Sequence, residues 1–490
     1  MVVAWGGRKA NPTMTYRNII SALLFAAVTC VARPQSAVMT LGEARMLMRD
    51  NNPTLQLARG EQQVARNERQ ALLSSWFPTL SVSGGYAWMS NPVEVRQSLS
   101  RVTEPLQNVV ADILPNDVII GQLLGQIGGR SLSFPLVPQS VMTVDATLMW
   151  PVFTGGRRLF VGRLGRELES GAEVARNAVD AELQLRLVES YYAVTLAGHV
   201  CEVRRRSVAA LERHLRSARR MLSEGVIGAT ELLMVEVAAE NAHTELLAAE
   251  NNLQTTQAAL RGVLCVDTTD IAPITPMFVV DSLPTSEFFR GRAESNFVVQ
   301  GLMHGVAAAD LRLRMSRGGY APTVALVGKQ TLYSRGLNRH LVPRTIIGVG
   351  VSWTLFDGLR RERDISSARM ATINSRLAHS GALERTKVSI DRLLSELHNA
   401  EARIRSGRRA VALNRRVLKN RQREWEQGVV TIDLVADAEV ALVAAQVGVL
   451  TAFYAYDVAL MGLLAMCGCP ELFYDFAARA VDTPLEVTPE

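Results

Sequence analysis

The sequence predicts an α+β membrane protein built from two internal repeats, each a short β-hairpin followed by a pair of long helices. Segment 150–158 recurs as segment 353–361, with Phe153 matching Phe356, and the glycine turn at Gly225 recurs at Gly428. Both offsets are 203 residues, and neither span between the two landmarks contains a proline. At about 1.5 Å per residue, a continuous helix filling such a span is roughly 100 Å long. Helices of this length do not fit within a compact globular domain.

Composition and charge exclude several classes of protein. The 53 basic and 47 acidic residues of the 490-residue chain are interspersed, which is typical of solvated helix faces. No basic patch alternates with aromatic residues, so we expect no nucleic-acid partner. Outside the N-terminus, no apolar run approaches the ~20 residues that a spanning helix needs. If the chain crosses a membrane, we therefore expect it to do so by strands.

The N-terminus reads as an export signal. Arg17 precedes the apolar segment 19–31, which ends in small residues. Cleavage after Ala32 and cleavage after Ala37 both fit, and an uncleaved membrane anchor is the alternative. Cys30 is a poor candidate for lipidation because the residues before it lack the expected pattern.

Four cysteines remain after the predicted signal: Cys201, Cys265, Cys467 and Cys469. So few cysteines exclude a disulfide-stapled scaffold. Cys265 and the pair Cys467 and Cys469 end matching helices, which leaves a bridge between them as one alternative. A Cys-x-Cys metal site is another, although no histidine is near it in the sequence.

Helical segments precede the strands. Thr40 and Glu43 have the spacing of a capping box, which predicts a helix to about residue 49. Asn52 and Pro53 then fit the cap and first position of a second helix, to about Ser75.

From residue 78 the period changes from about 3.6 to 2, which indicates strands. Leu80, Val82, Tyr86 and Trp88 alternate with small and polar residues. Large apolar residues on one face and small polar ones on the other are typical of a membrane β-strand, with Tyr86 and Trp88 as interfacial aromatics. Three more strands are predicted, at 143–152, after Pro322, and at 347–355; a soluble antiparallel sheet is the alternative reading. The connection 90–140 is rich in Pro, Gly and Asn and is predicted to be a long loop.

Each hairpin precedes a long helix, for which Thr154 and Asp357 are the predicted N-caps. After each glycine turn a return helix is predicted, with apolar residues at heptad spacing, so these helices should pack lengthwise. The first stripe contains Leu232, Val235, Ala239, Ala242, Leu246, Ala249, Leu253 and Leu260. The second contains Val435, Ala438, Leu442, Ala445, Val449, Ala452, Tyr456, Ala459 and Leu463.

These patterns divide the chain into nine segments. They are a signal peptide (1–37), a helical segment (38–77), hairpin 1 with its long extracellular loop (78–153), helix pair 1 (154–266), a linker (267–285), a second helical segment (286–321), hairpin 2 (322–356), helix pair 2 (357–469) and a tail (470–490).

Four transmembrane strands cannot close a barrel alone, and open edges in lipid leave backbone groups without partners. We therefore expect an oligomer, in which three chains would supply twelve strands. Such an assembly is a conduit. No catalytic or metal-binding grouping of the seven histidines is evident, so we expect neither an enzyme nor a cofactor. The alternative is a periplasmic coiled-coil adaptor or scaffold protein, which would also contain long helical hairpins.

The residues resemble those of TolC-like outer-membrane efflux proteins. The resemblance is carried by the motifs at residues 41–44, 52–53, 77–80, 153–156 and 356–358 and by the two glycine turns. It implies a homotrimer in the outer membrane of a Gram-negative bacterium, with a 12-stranded β-barrel of four strands per chain. A long periplasmic α-helical barrel would continue it and dock to a periplasmic adaptor and an inner-membrane transporter. Drugs, amphiphiles, metals and secreted polypeptides are substrates of such systems.

The resemblance also implies a constriction at the periplasmic helix tips, formed by a ring of acidic residues. Asp437 matches the second aspartate of that ring, whereas Leu434 stands at the position of the first. Asp433 lies four residues before Asp437 and is expected on the same helix face, so it is a candidate substitute.

The helix tips are the second candidate site. The resemblance implies that an adaptor contacts the turn residues Gly225, Val226, Gly228, Gly428 and Val429. Glycines that only end a helix are the simpler reading.

Overall fold

The computed structural model describes residues 37–98, 100–113, 118–129, 131–266, 271–336 and 343–479. The predicted signal segment before residue 37, including Cys30, and residues 480–490 of the predicted tail lie outside these ranges. The chain divides into two compact units. Unit 1 comprises the described parts of Met1–Gly60, Val174–Gln300 and Gly381–Glu490, and unit 2 comprises those of Glu61–Glu173 and Gly301–Ser380.

The described residues form eight strands and eleven α-helices. The strands are β1 (Ala37–Met39), β2 (Thr79–Trp88), β3 (Val93–Ser98), β4 (Ser131–Val137), β5 (Ser140–Thr154), β6 (Ile271–Pro273), β7 (Thr323–Arg335) and β8 (Thr345–Ser352). The helices are α1 (Leu41–Asn51), α2 (Pro53–Leu73), α3 (Ser100–Ile113), α4 (Val118–Gly128), α5 (Arg157–Ser223), α6 (Ala229–Leu264), α7 (Ser286–Gly291), α8 (Phe297–Arg317), α9 (Arg360–Glu426), α10 (Ile432–Met466) and α11 (Leu472–Arg479). Short 3-10 helices cover Ser74–Trp76, Ala293–Ser295 and Gly318–Tyr320.

The element bounds follow the sequence repeat. Helices α5 and α9 both contain 67 residues, and they begin at positions that match in the repeat. Helices α6 and α10 also begin at matching positions. Helices α2 and α8 both contain 21 residues, and the spacing from the start of each helix to the start of the following main strand, β2 or β7, is the same. Equal lengths at matching positions are what a duplicated sequence would produce.

Local sequence signals explain the ends of the short helices. Thr40 and Glu43 form the predicted capping box at the start of α1. The side chain of Asn52 accepts a hydrogen bond from the Thr54 N–H at 2.9 Å at the start of α2. Asn296 accepts from the Val298 N–H at the same distance before α8.

The predicted N-caps of the long helices are wrong. Thr154 is the last residue of β5, where it pairs with Thr323, so the strand runs one residue past Phe153. Asp357 lies three residues before α9 and forms an ion pair with Arg361, with Oδ2 2.9 Å from Nε. Leu359, which directly precedes α9, has a φ of 65°.

The main sheet of unit 2 has the strand order β2-β5-β7-β8, and each neighbouring pair is antiparallel. Its register places Leu80 opposite Leu148, Leu148 opposite Gly328, and Gly328 opposite Ile347. These positions therefore share one face, as the alternation predicts. Large exposed side chains on this face include Leu80, Val82, Tyr86, Trp88, Ile347, Val349 and Val351.

The opposite face of the main sheet is more polar, although Met149 and Ile346 also lie on it. Asp145 lies 2.9 Å from the Lys329 ammonium, and its other oxygen accepts a hydrogen bond from Thr331 at 2.7 Å. Ser83 pairs with Asp145 across β2 and β5. An apolar face and a polar face on one sheet fit a wall between lipid and water.

The connection 90–140 contains more regular structure than predicted. Strands β3 and β4 pair antiparallel, with Val93 opposite Val137, and helices α3 and α4 lie between them in the sequence. The apolar residues at 118–124 belong to α4. The long connection between β2 and β5 therefore contains two strands and two helices of its own.

Helix α10 is the centre of the core of unit 1. It contains 18 buried residues, against four in α6. Among the described helices, α10 alone is long and apolar enough to cross a membrane, so the prediction that no such segment exists beyond the N-terminus is wrong. However, 67% of its most apolar window is buried within the chain, as expected of a core helix. Cys201, Cys265, Cys467 and Cys469 are all free thiols, so the alternative of a bridge is also wrong.

Candidate functional site

The first tip turn (residues 221–228) connects α5 to α6. The Val226 N–H donates to the Met221 carbonyl at 2.8 Å, and the Gly225 N–H donates to that of Leu222 at 3.0 Å. These two bonds form a Schellman motif, in which the residue directly after the C-cap of the helix must adopt a left-handed conformation with a positive φ. Gly225 has a φ of +72°. Gly228 has a different role, since it is the N-cap of α6 with a φ of −88°.

The second tip turn (residues 424–431) has the same geometry. The Val429 N–H donates to the Glu424 carbonyl at 2.8 Å, and the Gly428 N–H donates to that of Trp425 at 2.9 Å. Gly428 also has a φ of +72°. Both turns therefore place a valine directly after the left-handed glycine. Val226 and Val429 are 63% and 69% exposed, so the turns present apolar side chains to solvent.

Both candidate aspartates lie at the start of α10 and line one cleft. The cleft has a volume of about 150 Å³ and lies between α6 and α10. Asp437 is exposed, and Asp433 is partly buried. The Asp433 Oδ1 atom is inaccessible to solvent and has no hydrogen-bond partner among the described residues. Met234, Val237 and Asn241 line the cleft from α6.

The structure brings together the two aspartates, as their spacing of four predicts. The contribution of α6 was missed by sequence reasoning. Only the heptad stripes pointed to lengthwise packing of α6 against α10, and they gave no register between the two helices.

Sequence reasoning also missed an aromatic contact near the second tip turn. Trp425, which is 6% exposed, packs edge-on against His214 of α5 with 5.8 Å between ring centroids. Burial lowers the pKa of His214, and the nearby Arg213 lowers it further. The imidazole is therefore held neutral near pH 7, in keeping with its apolar neighbour. The only sequence signal was a tryptophan three residues before a glycine turn.

A buried carboxyl group lies further along α10. Asp457 is fully buried, and one of its oxygens accepts a hydrogen bond from the Phe278 N–H at 3.3 Å. The adjacent Tyr456 hydroxyl accepts from the Val280 N–H at 3.2 Å. These two hydrogen bonds attach the segment between the two repeats to α10. Burial raises the pKa of Asp457 well above its usual range, more than the hydrogen bond from Phe278 lowers it. The carboxyl group is therefore held in its neutral form.

Comparisons with known proteins agree with this architecture. Residues 46–265 match the family of outer membrane efflux proteins. The outer membrane efflux protein BepC of Brucella suis is 22% identical over 324 residues, which is 62% of this chain and 71% of BepC. CusC, whose structures describe transmembrane channel formation, superposes with a TM-score of 0.71 at 15% identity, covering 88% of this chain and 92% of CusC. The CmeC outer membrane channel of Campylobacter jejuni gives a TM-score of 0.68 at 12% identity, covering 98% of both chains.

The two kinds of comparison support different statements. The structural matches have low sequence identity and show the fold, which is that of channel proteins. The family match and BepC confirm the predicted resemblance to outer-membrane efflux proteins and the predicted location in the outer membrane, extending into the periplasm.

Proposed function

We propose that this chain, a TolC-like outer membrane efflux protein by the match over residues 46–265, is the exit duct of a tripartite efflux or type I secretion system. In this role it passes substrates from an inner-membrane transporter and a periplasmic adaptor to the cell exterior. It does so as a homotrimer, in which a 12-stranded barrel in the outer membrane is continued by a periplasmic helical barrel. Each chain contributes four strands and two copies of the sequence repeat.

The observation that carries this proposal is the open four-stranded main sheet. Its edge strands β2 and β8 pair only on one side among the described residues. One face of this sheet presents large apolar side chains, and the other carries Asp145 and Lys329. In lipid, unpaired edge groups cost several kcal/mol each, so the edges must pair with other copies. A periplasmic scaffold would have no need of an apolar sheet face, which argues against that alternative.

Cross-linking of the two edges tests the trimer. Thr79 at the start of β2 and Ser352 at the end of β8 lie three strands apart in one chain, about 14 Å at the usual strand spacing. In a closed trimer, β2 of one chain lies beside β8 of the next. We therefore expect oxidation of the variant T79C/S352C, with the exposed Cys265 replaced by serine, to give covalent trimers. Either single variant should stay monomeric on a denaturing gel. Covalent dimers or tetramers as the end point would contradict the proposal.

We also propose that Asp437, with Asp433, forms the constriction. Three copies of an exposed carboxylate around one axis would repel each other and attract cations. The support is their shared position at the start of α10, one turn from the tip.

The adaptor is proposed to dock on the two tip turns. Exposed valines held by rigid Schellman motifs offer a small, preformed apolar contact on each turn. A bulky, charged replacement such as V226E or V429E should abolish efflux and leave heat-modifiable trimers intact. The exposed Leu413 of α9 provides a control, since L413E changes an apolar surface residue away from the tips. Retained export by both tip variants would count against docking at these turns.

A further inference from the structure

An aromatic and arginine cluster lies where β5 meets α5. The indole N–H of Trp150 donates to the Trp76 carbonyl at 3.0 Å. The guanidinium carbon of Arg158 lies 4.5 Å from the centre of the Trp76 ring, within cation–π distance. Arg158 also donates through Nη1 to the Pro151 carbonyl. These residues all belong to unit 2. We name them the first junction cluster.

The second junction cluster repeats this geometry. The indole N–H of Trp353 donates to the Tyr320 carbonyl at 3.0 Å. The Arg361 guanidinium carbon lies 4.9 Å from the centre of the Tyr320 ring. Trp353 and Arg361 stand at the positions that match Trp150 and Arg158 in the sequence repeat, and Tyr320 takes the place of Trp76.

The two clusters differ in charge. Asp357 neutralises Arg361, but the matching position in the first repeat is Thr154, which carries no charge. Arg158 is only 9% exposed, and its Nε and Nη2 atoms have no hydrogen-bond partner among the described residues. A buried guanidinium with free donors is costly unless an anion accepts from it. The first junction cluster therefore lacks an anion that the second carries in its own sequence.

A basic cleft with a volume of about 380 Å³ lies beside Arg158. Arg69, Arg163 and Arg166 line it as well, and none of its described lining residues is acidic. Arg69 pairs with Glu169 outside the lining. Arg163 and Arg166 form no ion pair or hydrogen bond with the part of the chain that the structure describes. Gly165 permits the close approach that brings Arg69 here, since a Cβ at that position would lie only 3.2 Å from the Arg69 Cγ.

Apolar side chains border the same cleft. Leu73, Trp76 and Leu159 line it and are 37%, 41% and 56% exposed. An anion bound there would have guanidinium groups on one side and an apolar rim on the other. A phosphate attached to an acyl chain fits both, whereas a free phosphate would use the arginines alone. Tryptophans at strand ends are typical of the membrane–water boundary, where lipid phosphates lie.

We propose that the cleft of the first junction cluster binds the phosphate of an anionic membrane lipid, with Arg158 as its central ligand. Planar guanidinium groups donate in pairs to phosphate oxygens, which would satisfy the free donors of Arg158. Leu73 and Leu159, on the apolar rim of the cleft, contact the acyl chain of the lipid. This inference rests on the location in the outer membrane. In the second junction cluster Asp357 already neutralises the charge of Arg361, so this cluster binds lipid phosphate weakly.

The test is native mass spectrometry of the full-length detergent-purified protein with phosphatidylglycerol, compared with phosphatidylcholine. We expect R158Q to weaken phosphatidylglycerol retention by about tenfold, the change that loss of a charged phosphate contact produces. T154D should have a similar effect, because it gives the first cluster the internal carboxylate of the second. The matched control R361Q should retain lipid like the unaltered protein.

Several outcomes would overturn the inference. Unchanged retention in both R158Q and T154D would do so, as would an equal loss in R361Q. Displacement of the lipid by millimolar inorganic phosphate would show a site for free anions. Because T154D leaves the buried Arg158 in place, it separates lost binding from a failure of R158Q to fold. Intact trimers that retain no lipid would reject only this inference, whereas a failure to form trimers would reject the proposed function.

Discussion

The two return helices α6 and α10 follow matching turns but have different environments. Helix α10 buries its apolar residues within unit 1, whereas α6 leaves Leu233, Met234, Val237 and Leu247 at least half exposed. The heptad stripe of α6 is still its less exposed side. Two copies of one pattern thus supply a core helix and a helix with an uncovered apolar side. In a trimer, a neighbouring chain would cover the exposed apolar side of α6.

A matched pair of leucines gives the largest expected effect. Leu450 of α10 is fully buried, and Leu247, at the matching position of α6, is 59% exposed. We expect L450A to lower the free energy of unfolding by about 2–5 kcal/mol through loss of packing and a cavity. L247A should leave the fold of the chain intact and lower only the temperature at which trimers dissociate on a gel. Equal losses of fold stability, measured by circular dichroism melting, would show that the two helices do not differ in burial.

The buried carboxyl group gives a pH-dependent difference. Asp457 of α10 corresponds to Gln254 of α6, which is exposed. Because burial raises the pKa of Asp457 above its usual 3.8, its contribution to stability is full below that value and is lost as pH rises toward the folded pKa. D457N keeps the acceptor for the Phe278 N–H and removes the titration.

We therefore expect the melting temperature of D457N, relative to the unaltered protein, to increase steadily from pH 4.5 to pH 8. Q254D, with its carboxyl group in solvent, should show no such trend. A constant difference between D457N and the unaltered protein over this range would mean that the carboxyl group does not titrate with unfolding.

The two tip turns should respond equally. Gly225 and Gly428 both have a φ of +72°, and a Cβ on either would meet no atom within 4 Å. The cost of G225A and of G428A is therefore backbone strain alone, roughly 1–2 kcal/mol for an alanine in the left-handed region. Asparagine should cost less at both positions. Thermal melting of the two alanine variants checks this, and a difference much larger than measurement error would show that the tips are not equivalent.

The charge at the tips gives the smallest expected effect. Asp437 of α10 corresponds to Met234 of α6, so only one of the two return helices carries this carboxylate. If three copies line the constriction, D437A should raise the concentration of divalent cation that half-blocks single-channel current by about tenfold. L413A, at an exposed residue of α9 away from the tips, is the control and should leave block unchanged. Unchanged block by D437A in planar bilayers would remove Asp437 from the constriction.

The sequence predicted the parts of the fold that have local landmarks. Gly225 and Gly428 end helices because few other residues adopt a positive φ at low cost, and Pro78 and Pro322 each directly precede a strand. Alternation predicted the two faces of the main sheet, since its register follows the side-chain period of two.

What the sequence could not supply depends on contacts between distant segments. Thr154 looks like an N-cap, but cross-strand pairing with Thr323 keeps it in β5. Strands β3 and β4 were missed because their alternation, at 93–96 and 131–134, lasts only four residues, and Pro135 then interrupts β4. The burial of Arg158 and Asp457 follows from packing of other segments around them, and polar residues carry no local sign of such burial.

Native mass spectrometry of the detergent-purified protein shows whether the open sheet of each chain closes only by sharing its two edges with other copies. The expected result is a single species with the mass of three chains, which dissociates only when the main sheet unfolds. A stable, folded species with the mass of one chain would contradict the account, because its strand edges would then need no partner.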